Sequence, residues 1–174
     1  MKTRTQNILS TTRIIAFIVY IGASIHVGRV MVPFIMGFIN ENLWTDTGTG
    51  FDFLRNNHLL PYIGLMSFVI VIALIQVQIW NYLRSILDEI DLNTPFSEKV
   101  AKMIENLSYL ILSLGILYIV ADLYIGYLAK TIPELDRGYF KTAFQFLLAA
   151  GIIYVISQIF KRGVEIQEEN DLTV

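Results

Sequence analysis

Four long apolar runs dominate the pattern of the chain, at approximately residues 14–39, 59–83, 104–128 and 139–160. A helix needs about 20 mostly apolar residues to cross roughly 30 Å of hydrocarbon, and each run supplies that length. Each is interrupted by only one or two costly groups and is bounded by Asn, Asp, Pro, Lys or Arg, the residues that mark helix ends and loops. The pattern therefore predicts an all-α membrane protein with four transmembrane helices. The connections are short apart from two, so consecutive helices are expected to pack antiparallel as a four-helix bundle. Residues 1–13 form an N-terminal tail, 14–162 the transmembrane domain and 163–174 a C-terminal tail. The two longer connections are NENLWTDTGTGFDFLRNNH after the first run and RSILDEIDLNTPFSEKVAKMIEN after the second. No internal repeat relates the two helix pairs.

Composition agrees with the pattern: 55% of the 174 residues are hydrophobic and 16% charged, too apolar a balance for an ordinary soluble domain. A net charge of −2 and the lack of a basic stripe exclude direct nucleic-acid binding as the expected role. The absence of cysteine removes disulfides, thiolate nucleophiles and Cys-based metal sites. The start, MKTRTQNILSTTRIIAFIVYIGAS, has the basic lead and apolar stretch of a signal peptide, with Gly22, Ala23 and Ser24 as a cleavage region. The apolar pattern continues past that point, which favours a retained helix.

Charge asymmetry gives an orientation. With a cytoplasmic N-terminus, inside segments hold Lys2, Arg4, Arg13, Arg84, Lys99, Lys102, Lys161 and Arg162, against Arg55, Lys130, Arg137 and Lys141 outside. That excess predicts both termini in the cytoplasm.

Ionisable groups inside the spans are costly and mark a site or a structural pair. Here they are His26 and Arg29 on the first helix and Asp122 on the third. At 1.5 Å per residue, Arg29 lies about 24 Å beyond Arg13 and Asp122 about 26 Å beyond Glu105, so the two opposite charges are expected to pair at similar depth. Gln145, near the outer end of the fourth span, is placed to join His26, Arg29 and Asp122 in a polar cluster. Ser24 and Gly28 have the small-xxx-small spacing of close helix approach. Tyr62, Trp80, Tyr82, Tyr109, Tyr127 and Tyr139 fall near span ends, as interfacial anchors do.

On the cytoplasmic side, Thr94 is the expected cap of a helix whose first position is Pro95. Phe96 then staples the start against Ala101 or Met103. At the other terminus Lys161 and Arg162 suit both a helix C-terminus and an anionic leaflet, and Gly163 is expected to bend the chain. Beyond it Val164, Ile166, Leu172 and Val174 are too apolar for a merely solvated tail. They are expected to dock on the membrane surface or against the segment around Phe96. The ending Leu172, Thr173, Val174 also has the apolar-x-apolar form that sheet-edge clefts capture.

Two segments, NTPFSEKVAKMIENLSY ahead of the third span and IFKRGVEIQEENDLTV at the end, resemble the bacterial membrane-protein family of domain of unknown function 2975. The resemblance implies a multi-pass protein of the bacterial inner membrane. It also implies a small helix-turn-helix regulator as a neighbour, and it supplies no catalytic or ligand residue.

Enzyme chemistry finds little support. TDTGTG contains Asp46, Thr47 and Gly48, the aspartic-protease triplet, yet as one copy without a matching second element. His58 could approach Asp52 across the same loop, but two histidines in the chain make a poor metal site. The leading expectation is a non-enzymatic membrane protein, without cofactor, that binds or controls a small cytoplasmic DNA-binding partner. The docking residues would be Phe96, Lys161, Arg162, Ile166, Glu168, Asp171, Leu172 and Val174. The alternative is a small transporter, channel or ligand-sensing bundle, as a single copy or a homo-oligomer, built on His26, Arg29, Asp122 and Gln145.

Overall fold

A computed structural model describes residues 4–40, 45–92 and 95–171, the last two of these as backbone alone. Five helices follow one another: α1 (Arg4–Ile39), α2 (Leu54–Asn57), α3 (Leu59–Glu89), α4 (Glu98–Leu128) and α5 (Ala143–Asp171). Four of them, α1, α3, α4 and α5, are long and apolar enough to cross a membrane. The chain is a multi-pass membrane protein.

The helices are longer than the apolar runs because polar flanks continue the helical hydrogen bonding beyond the hydrocarbon. Thus α3 extends to Glu89, α4 begins at Glu98 and α5 continues to Asp171. The fourth span begins later than its apolar run, since residues 139–142 form turns. Thr94, the expected cap of α4, lies outside the described residues. The cap is Ser97, with φ −133° and ψ 145°, whose Oγ accepts the Val100 N–H at 3.3 Å. Pro95 therefore precedes the helix instead of opening it, and Glu98 brings a negative charge to the first turn.

Each long helix lies against the next in sequence: α1 on α3, α3 on α4, α4 on α5. Among the described residues α1 makes no helix contact with α4 or α5, so the bundle is a row with two open edges. The α3–α4 layer carries most of the core, including Leu65, Met66, Leu114, Ala121 and Ile125, all fully buried. The long helices approach closely at Gly64, where a Cβ would run into the Tyr124 hydroxyl, and at Gly115, where it would come within 2.8 Å of a Leu147 methyl. Gly28 has nothing within 4 Å of a built Cβ, so the Ser24 and Gly28 spacing serves no close packing here. In α1 the outer face is apolar and exposed, as a lipid-facing helix requires.

At the end remote from the termini, the two loops form a packed cap. Phe51 is buried between Tyr139 and Phe140, with ring centroids 4.8 and 6.3 Å away. Leu54, Tyr62, Ile132 and Leu135 complete this outer core. Tyr62 is thus a core residue, 1% exposed, and no interfacial anchor. Gly48 and Gly50 have φ of 69° and 77°, the left-handed conformation that lets the TGTG segment fold back under the cap.

Candidate functional site

The end that carries both termini gathers most of the residues singled out in the sequence. Phe96, just ahead of α4, packs on α5. Its ring meets Phe160 edge to face at 5.3 Å. It also lies so close to Gly163 that a Cβ there would come within 2.6 Å of its Cδ1. Gly163 therefore acts as a seat for the ring. It does not bend the chain, since α5 runs through it to Asp171.

Several charges at this end are paired. Lys161 Nζ lies 3.0 Å from Glu105 Oε1, which also accepts from the Tyr109 hydroxyl at 3.4 Å. Arg162 meets Glu165 one turn on at 2.6 Å, and Lys99 meets Glu89 across the α3–α4 connection at 2.7 Å. Arg13 of α1 does the work of a C-cap for α3. Its Nε donates to the Leu87 carbonyl at 2.8 Å and its Nη2 to those of Asp88 and Ile90 at 3.3 and 3.4 Å. A cation suits that position, where carbonyls lack helical partners and the helix dipole is negative. A shallow cleft of about 370 Å³ lies beside it, lined by Gln6, Ser10, Arg13 and Asp91 among others. One turn inward, the Arg84 guanidinium sits over the rings of Phe17 and Tyr20, 5.8 and 5.4 Å from their centroids.

Past Gly163, α5 forms an overhang that is solvated on most sides. Ile166 is 46% exposed, and Glu165, Glu168 and Glu169 are exposed as well. Asp171 ends the helix. Leu172 and Val174 lie outside the described residues. The basic pair Lys161 and Arg162 is neutralised by Glu105 and Glu165, so the overhang presents a net acidic surface with one apolar spot.

The intramembrane residues behave differently. His26 and Arg29 are exposed on α1, Gln145 is exposed on α5 and Asp122 is half-buried on α4. The expected Arg29 to Asp122 ion pair does not form: neither has an ion-pair partner among the described residues. The reason is the row arrangement, which puts α3 between the two helices. The depth match alone could not reveal this, because depth does not specify neighbours. Gln76 does reach across helices, donating to the Tyr118 hydroxyl at 3.3 Å.

One polar cluster in the outer cap had little sequence signal. The Asp52 carboxylate accepts from the Thr47 amide at 3.2 Å, from its hydroxyl at 2.8 Å and from the Tyr62 hydroxyl at 3.4 Å. Burial, reinforced by the adjacent Asp46 carboxyl, raises its pKa above the ordinary value. Asp46 accepts from Asp52 and from the Gly48 amide and is held below the ordinary value. The two carboxyls of this loop are thus pushed in opposite directions, Asp46 being the acid of the TDTG turn. The pair faces a wide depression lined by Gly48, Gly50, Phe53 and Asn56. His58 links α2 to α3 through its backbone, its N–H donating to the Leu54 carbonyl at 2.7 Å. The Arg55 guanidinium ties the cap to α1 through the Gly37 carbonyl.

Residues 44–174 match a family of proteins of unknown function, DUF2975. The chain belongs to this family. The match spans α2 to α5 and takes in the outer cap, the Phe96 seat and the overhang. No curated protein and no solved structure matches the chain.

Proposed function

We propose that this DUF2975 protein is a non-enzymatic protein of the bacterial inner membrane that docks a small basic cytoplasmic protein at its terminal end. The observation that carries the reading is the α5 overhang. A helix that has already crossed the membrane continues to Asp171, with Phe96 seated on Gly163. A solvated helix costs conformational entropy that an unstructured tail would not, and tertiary packing is the usual source of helix stability. Here the packing comes from Phe96 and Phe160, which hold the overhang at one angle.

Its chemistry favours a basic partner. Glu168 and Glu169 are exposed on the last turns beside the exposed Ile166, while Glu165 is engaged with Arg162. A DNA-binding regulator of the helix-turn-helix kind carries a basic face for phosphate. Such a face is complementary to the overhang, and the resemblance noted in the sequence suggests the same partner class. Complementary charge steers association, while the apolar spot supplies buried area. The excess of Lys and Arg at this end supports placing it in the cytoplasm.

The test is affinity purification of the full-length protein against a version ending at Gly163, both in detergent, with bound proteins identified by mass spectrometry. A small basic soluble protein recovered with the full-length chain alone supports the reading. Identical recoveries from two folded versions contradict it.

A further inference from the structure

Arg29 presents two unmet polar demands at one level of α1. Its guanidinium is exposed and lacks an ion-pair partner among the described residues. Four residues on, Pro33 lies inside the helix and has no N–H to offer the Arg29 carbonyl. In hydrocarbon both groups are costly unless protein satisfies them.

Depth can be counted through contacts. Arg13 meets Leu87 at the terminal end, and Arg29 is about 24 Å beyond Arg13 along α1. Gln76 lies about 17 Å outward from Leu87 along α3 and meets Tyr118 of α4. Asp122 is one turn beyond Tyr118, about 23 Å from the same end. Gln145 adjoins Phe146, which stacks on Tyr118 at 5.1 Å. The cation, the anion and the exposed amide therefore share one level within a core roughly 30 Å thick. Within one chain α3 separates the charges, and the α1 and α5 edges of the row are both open.

We infer that a second copy of this chain covers the α1 edge with its α4–α5 edge, pairing Arg29 of one copy with Asp122 of the next. Arg29 on the open α1 edge and the half-buried Asp122 of α4, one helix in from the open α5 edge, lie at about equal depth and define a head-to-tail contact, which closes into a ring or dimer if the rotation allows. The pairing removes two isolated charges from lipid at once, and the apolar faces around them supply packing. This surface is separate from the acidic overhang, so either can fail alone.

The cysteine-free chain suits a disulfide test in native membranes. Ile25 and Leu148, 66% and 55% exposed, sit on the two edges slightly inside the charges. In the Ile25→Cys, Leu148→Cys protein with its charges intact, oxidation should link copies into dimers or higher species. Adding Asp122→Asn should abolish the link, and Arg29→Asp with Asp122→Arg should restore it. No intermolecular link with native charges, a link within one chain, or a link equally strong after both Asp122→Asn and Arg29→Gln would overturn the inference.

Discussion

Gly163 and Phe96 set opposing local preferences against each other. In an isolated helix Gly163→Ala should gain about 1 kcal/mol. Here the new methyl would press on the Phe96 ring, and overpacking of that kind costs about 1–3 kcal/mol. Gly163→Ala alone should therefore be neutral to destabilising, whereas on a Phe96→Ala background it should stabilise. A thermal double-mutant cycle reads the sign reversal directly. In the outer cap, Asp52 has its pKa raised and Asp46 has its pKa lowered. The raised group stabilises the fold below the ordinary carboxylate value and loses that contribution as pH rises through its folded pKa. The lowered group stabilises above the ordinary value and loses its contribution as pH falls through its folded pKa. The cap should accordingly be most stable on the acid side, above the folded pKa of Asp46 and below that of Asp52, and lose stability toward neutrality. Asp52→Asn should flatten that dependence in unfolding followed by tryptophan fluorescence. The sequence contained the TDTG turn but not this pairing, because the partner carboxyl arrives through two glycines with positive φ, and that conformation is not written in spacing.

At the level of elements, the two ends of the bundle are held by different means. The outer cap depends on aromatic burial, and Phe51→Ala should destabilise it by about 3–5 kcal/mol. The expected readout is faster amide exchange over residues 45–54 and 130–140 with little change in the middle of α3. The terminal end depends on directional hydrogen bonds from Arg13 to the last carbonyls of α3. Arg13→Ala should loosen that turn by about 1–2 kcal/mol, visible as faster exchange near residues 86–90, while Arg13→Lys should recover only part because it lacks the planar fork. The four spans were legible because about 20 apolar residues admit few alternatives in a membrane. Helix ends were less so: Ser97 and Thr94 are both acceptable caps by residue type, and the Phe96 contact with α5, a long-range event, accompanies the later one.

For the whole molecule, the sequence fails most clearly at helix adjacency. Arg29 and Asp122 were matched in depth, yet a row of helices keeps them apart in one chain. Membrane helices gain little from choosing one apolar neighbour over another, so hydropathy leaves the order of packing open. At the terminal end Phe96 meets α5 and Lys161 meets α4 through Glu105, while Arg162 pairs with Glu165 of its own helix. What remains free to meet a partner is acidic. That makes one measurement most direct: co-purification from native membranes of the full-length protein against its Glu168→Lys, Glu169→Lys variant. Docking through the overhang predicts a small basic soluble protein with the native chain, lost with the charge-reversed one at equal membrane insertion. The same proteins recovered in equal amount from both would contradict it.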